Sequence, residues 1–194
     1  MVAHNDKPIV YPLDAAQWRQ WLTVNSQTSD GVRVQLVKKS SRLPGISYAD
    51  ALDEALCFGW IDGQSNSVDD DFFYQSFGPR RPRSTWSKRN REHIARLTRE
   101  GRMQPAGIAQ VEAAKADGRW DAAYAQNDAV PADLQAAIDA SPTATAFFAT
   151  LSSQNRFAIV FRTTSVKRAE TRARKIGEFV AMLERGETIY PQKK

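Results

Sequence analysis

Residues 47–79 read SYADALDEALCFGWIDGQSNSVDDDFFYQSFGP, and this stretch decides the fold. Ser47 is a typical N-cap residue, and the acidic residue three positions later completes the cap. The spacing then predicts a helix over 48–58 that ends at Gly59. Its inward face, which we expect to pack on a sheet, carries apolar residues at helical spacing: Leu52, Ala55 and Leu56.

Two strand-like runs follow this helix, residues 60–67 and 72–77, and an acidic turn over 68–71 joins them as a hairpin. An earlier run over 32–37 alternates apolar and polar residues and predicts one more strand. Asp14 caps a helix before that strand. The order strand, helix, strand, strand predicts a small mixed sheet with helices on one face.

After Pro82 the pattern is helical throughout, because proline and serine helix starts alternate with glycine stops. The sequence therefore predicts an α+β protein: a small mixed β-sheet with helices in the N-terminal part, followed by an all-helical C-terminal part. Within the latter, the apolar run 157–161 also suits a buried strand. We expect a small α/β subdomain, a helical linker region packed on it and a C-terminal helical subdomain, at 1–82, 83–126 and 127–194.

Composition predicts a globular, cytoplasmic protein. An apolar content of 42% in 194 residues is enough for a hydrophobic core without disulfides. Cys57 is the single cysteine, so no internal disulfide requires an oxidising compartment. The N-terminus lacks the charged start and apolar run of a signal peptide. No window reaches the roughly 18 apolar residues of a membrane-spanning helix, so we expect no membrane insertion.

Positive charge is concentrated in two blocks. The formal net charge is +5, yet residues 80–102 hold nine Lys or Arg against two Glu, and residues 156–175 hold seven against one. The rest of the chain is therefore net acidic. This polarity favours an anionic small molecule or an acidic protein surface as the partner.

The first block predicts an anion site where a loop enters a helix. Arginines supply bidentate donors for phosphate or carboxylate, the helix start supplies backbone N–H groups, and an aromatic ring would form one wall. The candidate anion-binding residues are Arg80, Arg81, Trp86, Ser87, Lys88 and Asn90. In the alternative interpretation, the arginines pair with the acidic turn 69–71 and Trp86 belongs to the core.

Trp60 and Asp62 are further candidates, expected to line a pocket near this block. A carboxylate beside an aromatic ring can have a raised pKa, or it can orient a ligand. The structural alternative is that Asp62 fixes a turn with Gly63. Glu54 is the other carboxylate close to these residues in the sequence.

Other constellations do not complete a recognised motif. The acidic turn 69–71 lacks the glycine and the downstream Glu of a calcium loop. Cys57 and His93 suggest a nucleophile pair, but their neighbours predict an apolar helix for the first and a charged surface for the second. A basic stripe on the last helix, suited to a nucleic-acid backbone or to solvent, comprises Arg168, Arg172 and Lys175. The sequence contains no cofactor or metal motif and assigns no catalytic residue.

Three motifs stand in a fixed order at 48–63, 79–90 and 167–172, reading YADALDEALCFGWIDG, PRRPRSTWSKRN and KRAETR. Together they resemble a bacterial family described as bacteriocin-protection, YdeI or OmpD-associated. The resemblance extends from about Trp18 to Gly186. It implies a link to resistance against antimicrobial peptides and to an outer-membrane porin, and it implies no catalytic residues.

Three hypotheses about function follow. The first is a non-enzymatic binding or stress-resistance protein that recognises an anionic ligand or acidic partner through residues 80–90. The second is a nucleic-acid-associated protein that uses both basic blocks. The third is an enzyme whose site cannot be identified from one sequence. A concave basic pocket would favour the first, a continuous basic stripe the second, and a deep pocket with a buried carboxylate the third.

Overall fold

A computed structural model of the protein describes residues 7–124, 129–166 and 168–192. The chain separates into two units, Met1–Ala123 and Tyr124–Lys194, which we refer to as the N-terminal and C-terminal units. The predicted boundary between residues 126 and 127 lies outside the described residues. The division into three segments stays a prediction.

The sheet of the N-terminal unit has four strands: β1 (Ile9–Val10), β2 (Val32–Val37), β3 (Trp60–Ser67) and β4 (Phe72–Pro79). Their order is β1-β2-β4-β3, with β1 parallel to β2 and the other neighbours antiparallel. The predicted hairpin and β2 are confirmed. Strand β1 is an addition, because two residues are too few to show an alternating pattern. A register shift between Asp62 and Ser65 marks a bulge in β3.

One face of this sheet carries two helices, α1 (Ala15–Asn25) and α2 (Tyr48–Cys57). The Ser47 side chain accepts the backbone N–H of Asp50, and Asp14 caps α1 in the same way, so both predicted caps form. The residues of β2 that face these helices are fully buried: Val32, Val34 and Leu36. The predicted inward face of α2 lies in the same core: Leu52, Ala55 and Leu56.

Two more helices complete the N-terminal unit, α3 (Lys88–Arg99) and α4 (Pro105–Ala116). Helix α4 crosses α2 at close range, since an ideal Cβ on Gly107 would lie 2.2 Å from the Cys57 carbonyl oxygen. No side chain fits into that gap, so the crossing depends on the glycine.

The C-terminal unit has four helices: α5 (Ala132–Asp139), α6 (Pro142–Thr150), α7 (Ser153–Thr164) and α8 (Ala169–Glu184). They enclose a core of their own, whose fully buried apolar side chains include Leu134, Ile138, Ala144, Ile159 and Leu183. The run 157–161 lies within α7, so its helical interpretation is confirmed.

The predicted fold class is confirmed, because a four-stranded mixed sheet with helices precedes a helical C-terminal part. Within the described ranges α8 is the longest helix, and its 16 residues fall short of the roughly 20 that a bilayer requires. The helices of those ranges therefore include no candidate for a membrane span.

Candidate functional site

Arg80 and Trp86 form a stacked pair inside the N-terminal unit. They are 5% and 2% exposed, and the guanidinium carbon of Arg80 lies 3.6 Å from the centre of the Trp86 ring. This separation is well within the range of a cation–π contact. Arg80 Nη1 also donates to the Thr85 carbonyl oxygen at 3.1 Å. The stacked pair therefore fixes the loop that leads into α3.

Three exposed arginines lie on this loop and on the first turn of α3: Arg81, Arg83 and Arg89. We refer to them as the basic rim. In the part of the chain that the structure describes, none of them makes an ion pair. The loop beneath them is fixed, because Ser84 Oγ accepts the Arg81 backbone N–H and the Ser84 carbonyl oxygen accepts Nη1 of Arg119. The guanidinium charges of the basic rim are therefore exposed on a loop whose backbone is held in place by hydrogen bonds.

The start of α3 adjoins the basic rim. Ser87 is the N-cap, and its Oγ accepts the Asn90 backbone N–H at 3.1 Å. Lys88 is exposed in the first turn, whereas Asn90 is half-buried. No acidic residue occupies the first turn, so the partial positive charge of the helix start adds to that of the cations. The six predicted anion-binding residues thus share one loop–helix junction, with the stacked pair on the inside.

Trp60 and Asp62 lie on β3 beside this junction. Trp60 pairs with Pro79 in the sheet, and its buried indole donates from Nε1 to the Ser26 carbonyl oxygen at 3.1 Å. Asp62 is half-buried and accepts a hydrogen bond from the Tyr48 hydroxyl at 2.8 Å. Trp60 therefore belongs to the core, while Asp62 links β3 to the start of α2.

Glu54 of α2 is a buried carboxylate held by arginines from two other parts of the chain. It is 4% exposed, and its two oxygens accept from Arg19 and Arg102 at 2.6 Å each. Burial alone would lower the pKa of Arg102, but hydrogen bonds to Glu54 and Glu100 raise it. Both oxygens of Glu54 are engaged, so this carboxylate acts as a structural tie between α1, α2 and the end of α3.

Asp53, the preceding residue, makes a second contact of the same kind. It is 7% exposed, and its oxygens meet His93 Nδ1 at 2.7 Å and Arg96 Nη2 at 2.5 Å. The expectation that His93 lies on a charged surface is corrected here, because the ring is half-buried against α2. We refer to the whole group as the carboxylate cluster: Asp53, Glu54, Arg19, His93, Arg96 and Arg102. The available signal was an acidic pair inside an apolar helix face, but a single sequence does not indicate its partners.

Cys57 and His93 do not form a nucleophile pair. Cys57 is fully buried, and burial raises the pKa of its thiol to about 11, with the charge of Glu54 adding to the rise. His93 instead contacts Asp53. A thiol with so high a pKa stays protonated at neutral pH and is a poor nucleophile.

The acidic turn between β3 and β4 is held by its own backbone. Asp69 Oδ1 accepts the N–H groups of Phe72 and Asp71 at 2.7 and 2.9 Å, which lowers the pKa of Asp69. Asp71 accepts the Ser41 hydroxyl at 2.5 Å. Across the described ranges, no group of three His, Cys, Asp or Glu side chains is arranged to hold a metal ion. The turn is thus stabilised without the arginines of the basic rim.

The basic stripe of α8 is interrupted at its centre. Arg172 forms a two-point ion pair with Asp133, from Nε to Oδ2 at 2.6 Å and from Nη2 to Oδ1 at 2.8 Å. Arg168 is exposed and Lys175 is half-buried. Lys167, which begins the third motif, lies outside the described residues. The middle charge of the stripe is therefore already neutralised within the C-terminal unit.

Comparison with known proteins distinguishes the same two parts of the chain. A family model described as a domain of unknown function (DUF8412) matches residues 10–110. A second model, described as bacteriocin-protection, YdeI or OmpD-associated, matches residues 129–186 and confirms the resemblance to that family. Of the three motifs, only the one at 167–172 lies within this second match. Neither a curated protein nor a solved structure matches the chain.

Proposed function

Since the chain belongs to the family described as a domain of unknown function (DUF8412), which offers no activity to transfer, we propose a function from the site itself. The protein is a cytoplasmic, non-enzymatic binding protein for a ligand that carries phosphate or carboxylate groups. The ligand binds at the basic rim, against the start of α3. One observation carries this proposal: Arg81, Arg83 and Arg89 are exposed beside a helix N-terminus and have no counter-ion among the residues that the structure describes.

The charge balance of residues 80–102 supports this assignment. Arg96 and Arg102 face buried carboxylates, so their charges are compensated inside the unit. The remaining excess charge is concentrated at the basic rim. Charges within about 8–10 Å of one another act on a ligand together at physiological salt, whereas more distant ones are screened. The helix start adds oriented N–H groups to this attraction.

The state of the reactive groups supports a role without catalysis. The thiol of Cys57 is buried and protonated, and the carboxylates of Asp53 and Glu54 are already bound by cations. None of them is available as a nucleophile or general base. The match of residues 129–186 to a family described as bacteriocin-protection supports a stress-resistance role for the binding.

Thermal-shift measurements against inorganic phosphate, nucleotides, sugar phosphates and organic acids test the proposal. A ligand present at about 100 times its Kd adds about 2.7 kcal/mol to the free energy of unfolding, which is a shift of several degrees. The variant Arg81→Gln/Arg83→Gln/Arg89→Gln should lose this shift and keep its melting temperature without ligand. Arg80 is left unchanged, because its buried stack on Trp86 would confound the result.

Arg99→Gln is the matched control, since this residue is exposed near the other end of α3. It should retain the full shift. If the rim variant keeps the shift, or if it melts several degrees lower without ligand, the three arginines are structural and the proposal is wrong.

A further inference from the structure

The second face of the sheet carries an arginine that has no carboxylate partner among the described residues. Arg33 is half-buried on β2, and its guanidinium makes no hydrogen bond or ion pair within the described part of the chain. Its Nε is buried without an acceptor. The other half-buried arginines of the described ranges each contact an acceptor. Arg91 donates to the Trp120 carbonyl oxygen. The rest pair with carboxylates: Arg19, Arg96, Arg102, Arg119 and Arg172. A desolvated donor group that lacks an acceptor costs stability, and an external anion would remove that cost.

Aromatic and amide side chains surround Arg33 on this face. Its guanidinium carbon lies 5.2 Å from the centre of the Tyr74 ring. Tyr74 stands between Gln35 on β2 and Asn66 on β3 in the register of the sheet. Tyr11, just beyond β1, is 59% exposed, and its hydrogen bond with Tyr74 raises the pKa of Tyr74. We refer to these five residues as the tyrosine platform.

The sheet surface beside the tyrosine platform carries only small side chains at Gly63 and Ser76. Gly63 on β3 has no side chain, and its ideal Cβ would lie 3.6 Å from the Ser76 side chain on β4. A larger residue at either position would stand above the sheet next to Tyr74. Flat ligands can therefore approach this ring from the β3 side.

A second cation lies on the same face. Lys7 Nζ lies beside Gly31 and Gly78 and donates to the Asp30 carbonyl oxygen at 3.3 Å. Gly31 precedes Arg33 by two residues, so their Cα atoms are about 7 Å apart and Lys7 lies beside the same strand as Arg33. Two cations along one strand can follow the phosphate backbone of an extended single strand of nucleic acid.

Asp69 is the carboxylate that acts on the platform, from the turn that follows β3. Its Oδ1 is already bound by two backbone N–H groups, and no ion pair joins it to Arg33 in the described ranges. Arg33 and Lys7 therefore keep their positive charges, while Oδ1 of Asp69 is engaged by the backbone of its own turn.

We propose that the tyrosine platform binds single-stranded nucleic acid. Bases stack on Tyr11 and Tyr74, because every base offers a π-face, and phosphates lie on Arg33 and Lys7. The two amides contact base edges. A duplex fits poorly, since its bases are stacked on one another and cannot reach the tyrosines. This surface and its ligand are independent of the basic rim.

Fluorescence anisotropy of a short labelled oligothymidine, titrated with the full chain at low salt, tests the proposal. Tyr11→Ala should weaken binding about fivefold or more. About fivefold is the lower end of the range of affinity losses expected when one stacked base loses its aromatic partner. Arg33→Gln should make the slope of log affinity against log salt shallower by about 0.7, as expected for one lost phosphate contact on a single strand.

Two controls separate stacking from general charge attraction. Tyr74→Phe keeps the ring and should bind within twofold of wild type, whereas Tyr74→Leu should weaken binding as Tyr11→Ala does. The triple variant of the basic rim should retain its affinity. Tyr11 is exposed, so its truncation tests the platform even if the Tyr74 variants fail to fold.

Any of the following results would overturn the proposal. They are no binding of the oligonucleotide, equal affinity for a duplex of the same length, equal affinity for a non-aromatic polyanion such as heparin, and unchanged affinity in both Tyr11→Ala and Arg33→Gln. Loss of binding in the rim variant alone would assign the nucleic acid to the basic rim and would also reject the tyrosine platform.

Discussion

We expect Glu54→Gln to lower the free energy of unfolding of the N-terminal unit more than the substitution of an exposed acidic residue does. Glutamine keeps the shape of the side chain and removes its charge, so the substitution isolates the ion pairing. In the native protein Glu54 is 4% exposed and lies 2.6 Å from both Arg19 and Arg102. After substitution, two guanidinium groups face a neutral amide that has one acceptor oxygen instead of two.

The magnitude follows from burial. Removing one partner of a buried ion pair typically costs about 3–5 kcal/mol. The side chains of Arg19 and Arg102 are each 32% exposed, so water offsets part of the loss. We therefore expect the free energy of unfolding to fall by about 3 kcal/mol, at the lower end of that range. For a chain of this length the melting temperature should drop by roughly 6–12 °C.

Urea unfolding followed by tryptophan fluorescence is a suitable assay, because all five tryptophans precede residue 124 and report on the N-terminal unit alone. Glu112→Gln is the control, since Glu112 forms an exposed pair with Lys115 and should change the free energy of unfolding by less than about 0.5 kcal/mol. A loss below about 1 kcal/mol for Glu54→Gln, at an unchanged m-value, would refute the reasoning.

Three further predictions concern packing, reactivity and pH. Gly107→Ala should destabilise the N-terminal unit by about 1–3 kcal/mol through overpacking. Gly177 has open space around it, so Gly177→Ala should stabilise the C-terminal unit by about 0.5–1 kcal/mol. Urea unfolding measures both changes in the free energy of unfolding. Cys57 should resist iodoacetamide at neutral pH until the protein unfolds, because its pKa is raised to about 11, and rapid native labelling would contradict this. Hydrogen bonds from Arg172 lower the pKa of Asp133 from 3.8 to about 2, so the stabilisation is complete above about pH 4 and is lost as the pH falls towards 2. Arg172→Gln should flatten the acid dependence of circular dichroism in that window, and an unchanged curve would argue against the pair.

Local signals account for the parts of the fold that the sequence predicts. Ser47 and Ser87 cap their helices through hydrogen bonds to residues three positions later, an interaction that involves only neighbouring residues. The hairpin is likewise encoded by two runs and the turn between them. These elements were predictable because their stabilising contacts are short in sequence.

The carboxylate cluster was not predictable for the opposite reason. Its hydrogen bonds join residues 35 to 48 positions apart, from Arg19 to Glu54 and from Glu54 to Arg102. In one sequence an acidic pair in a helix resembles a solvated face, and only the packing of α1 and α3 against α2 shows otherwise. Similarly, Arg33 occupies the polar side of an alternating strand. That no described residue accepts a hydrogen bond from its Nε becomes visible only in three dimensions.

The candidate anion site lies between these cases. The helix start at Ser87 was predicted, so the position of its N–H groups was known in advance. The sequence did not predict which arginine is buried. Arg80 and Arg81 are adjacent in a loop, where no helical or strand periodicity distinguishes an inward from an outward side chain. The stack of Arg80 on Trp86 makes that choice, and it leaves Arg81 on the surface.

Both edges of the four-stranded sheet resist growth by added strands. Strand β1 has only two residues, and the outer part of β3, residues 63–67, is polar and contains the bulge. An exposed, flat and apolar edge would offer unpaired backbone groups as a template for aggregation. A short strand on one side and a distorted polar strand on the other provide little such template. Newly synthesised chains that have formed this sheet are therefore protected against amyloid-like association by backbone geometry, in addition to their net charge.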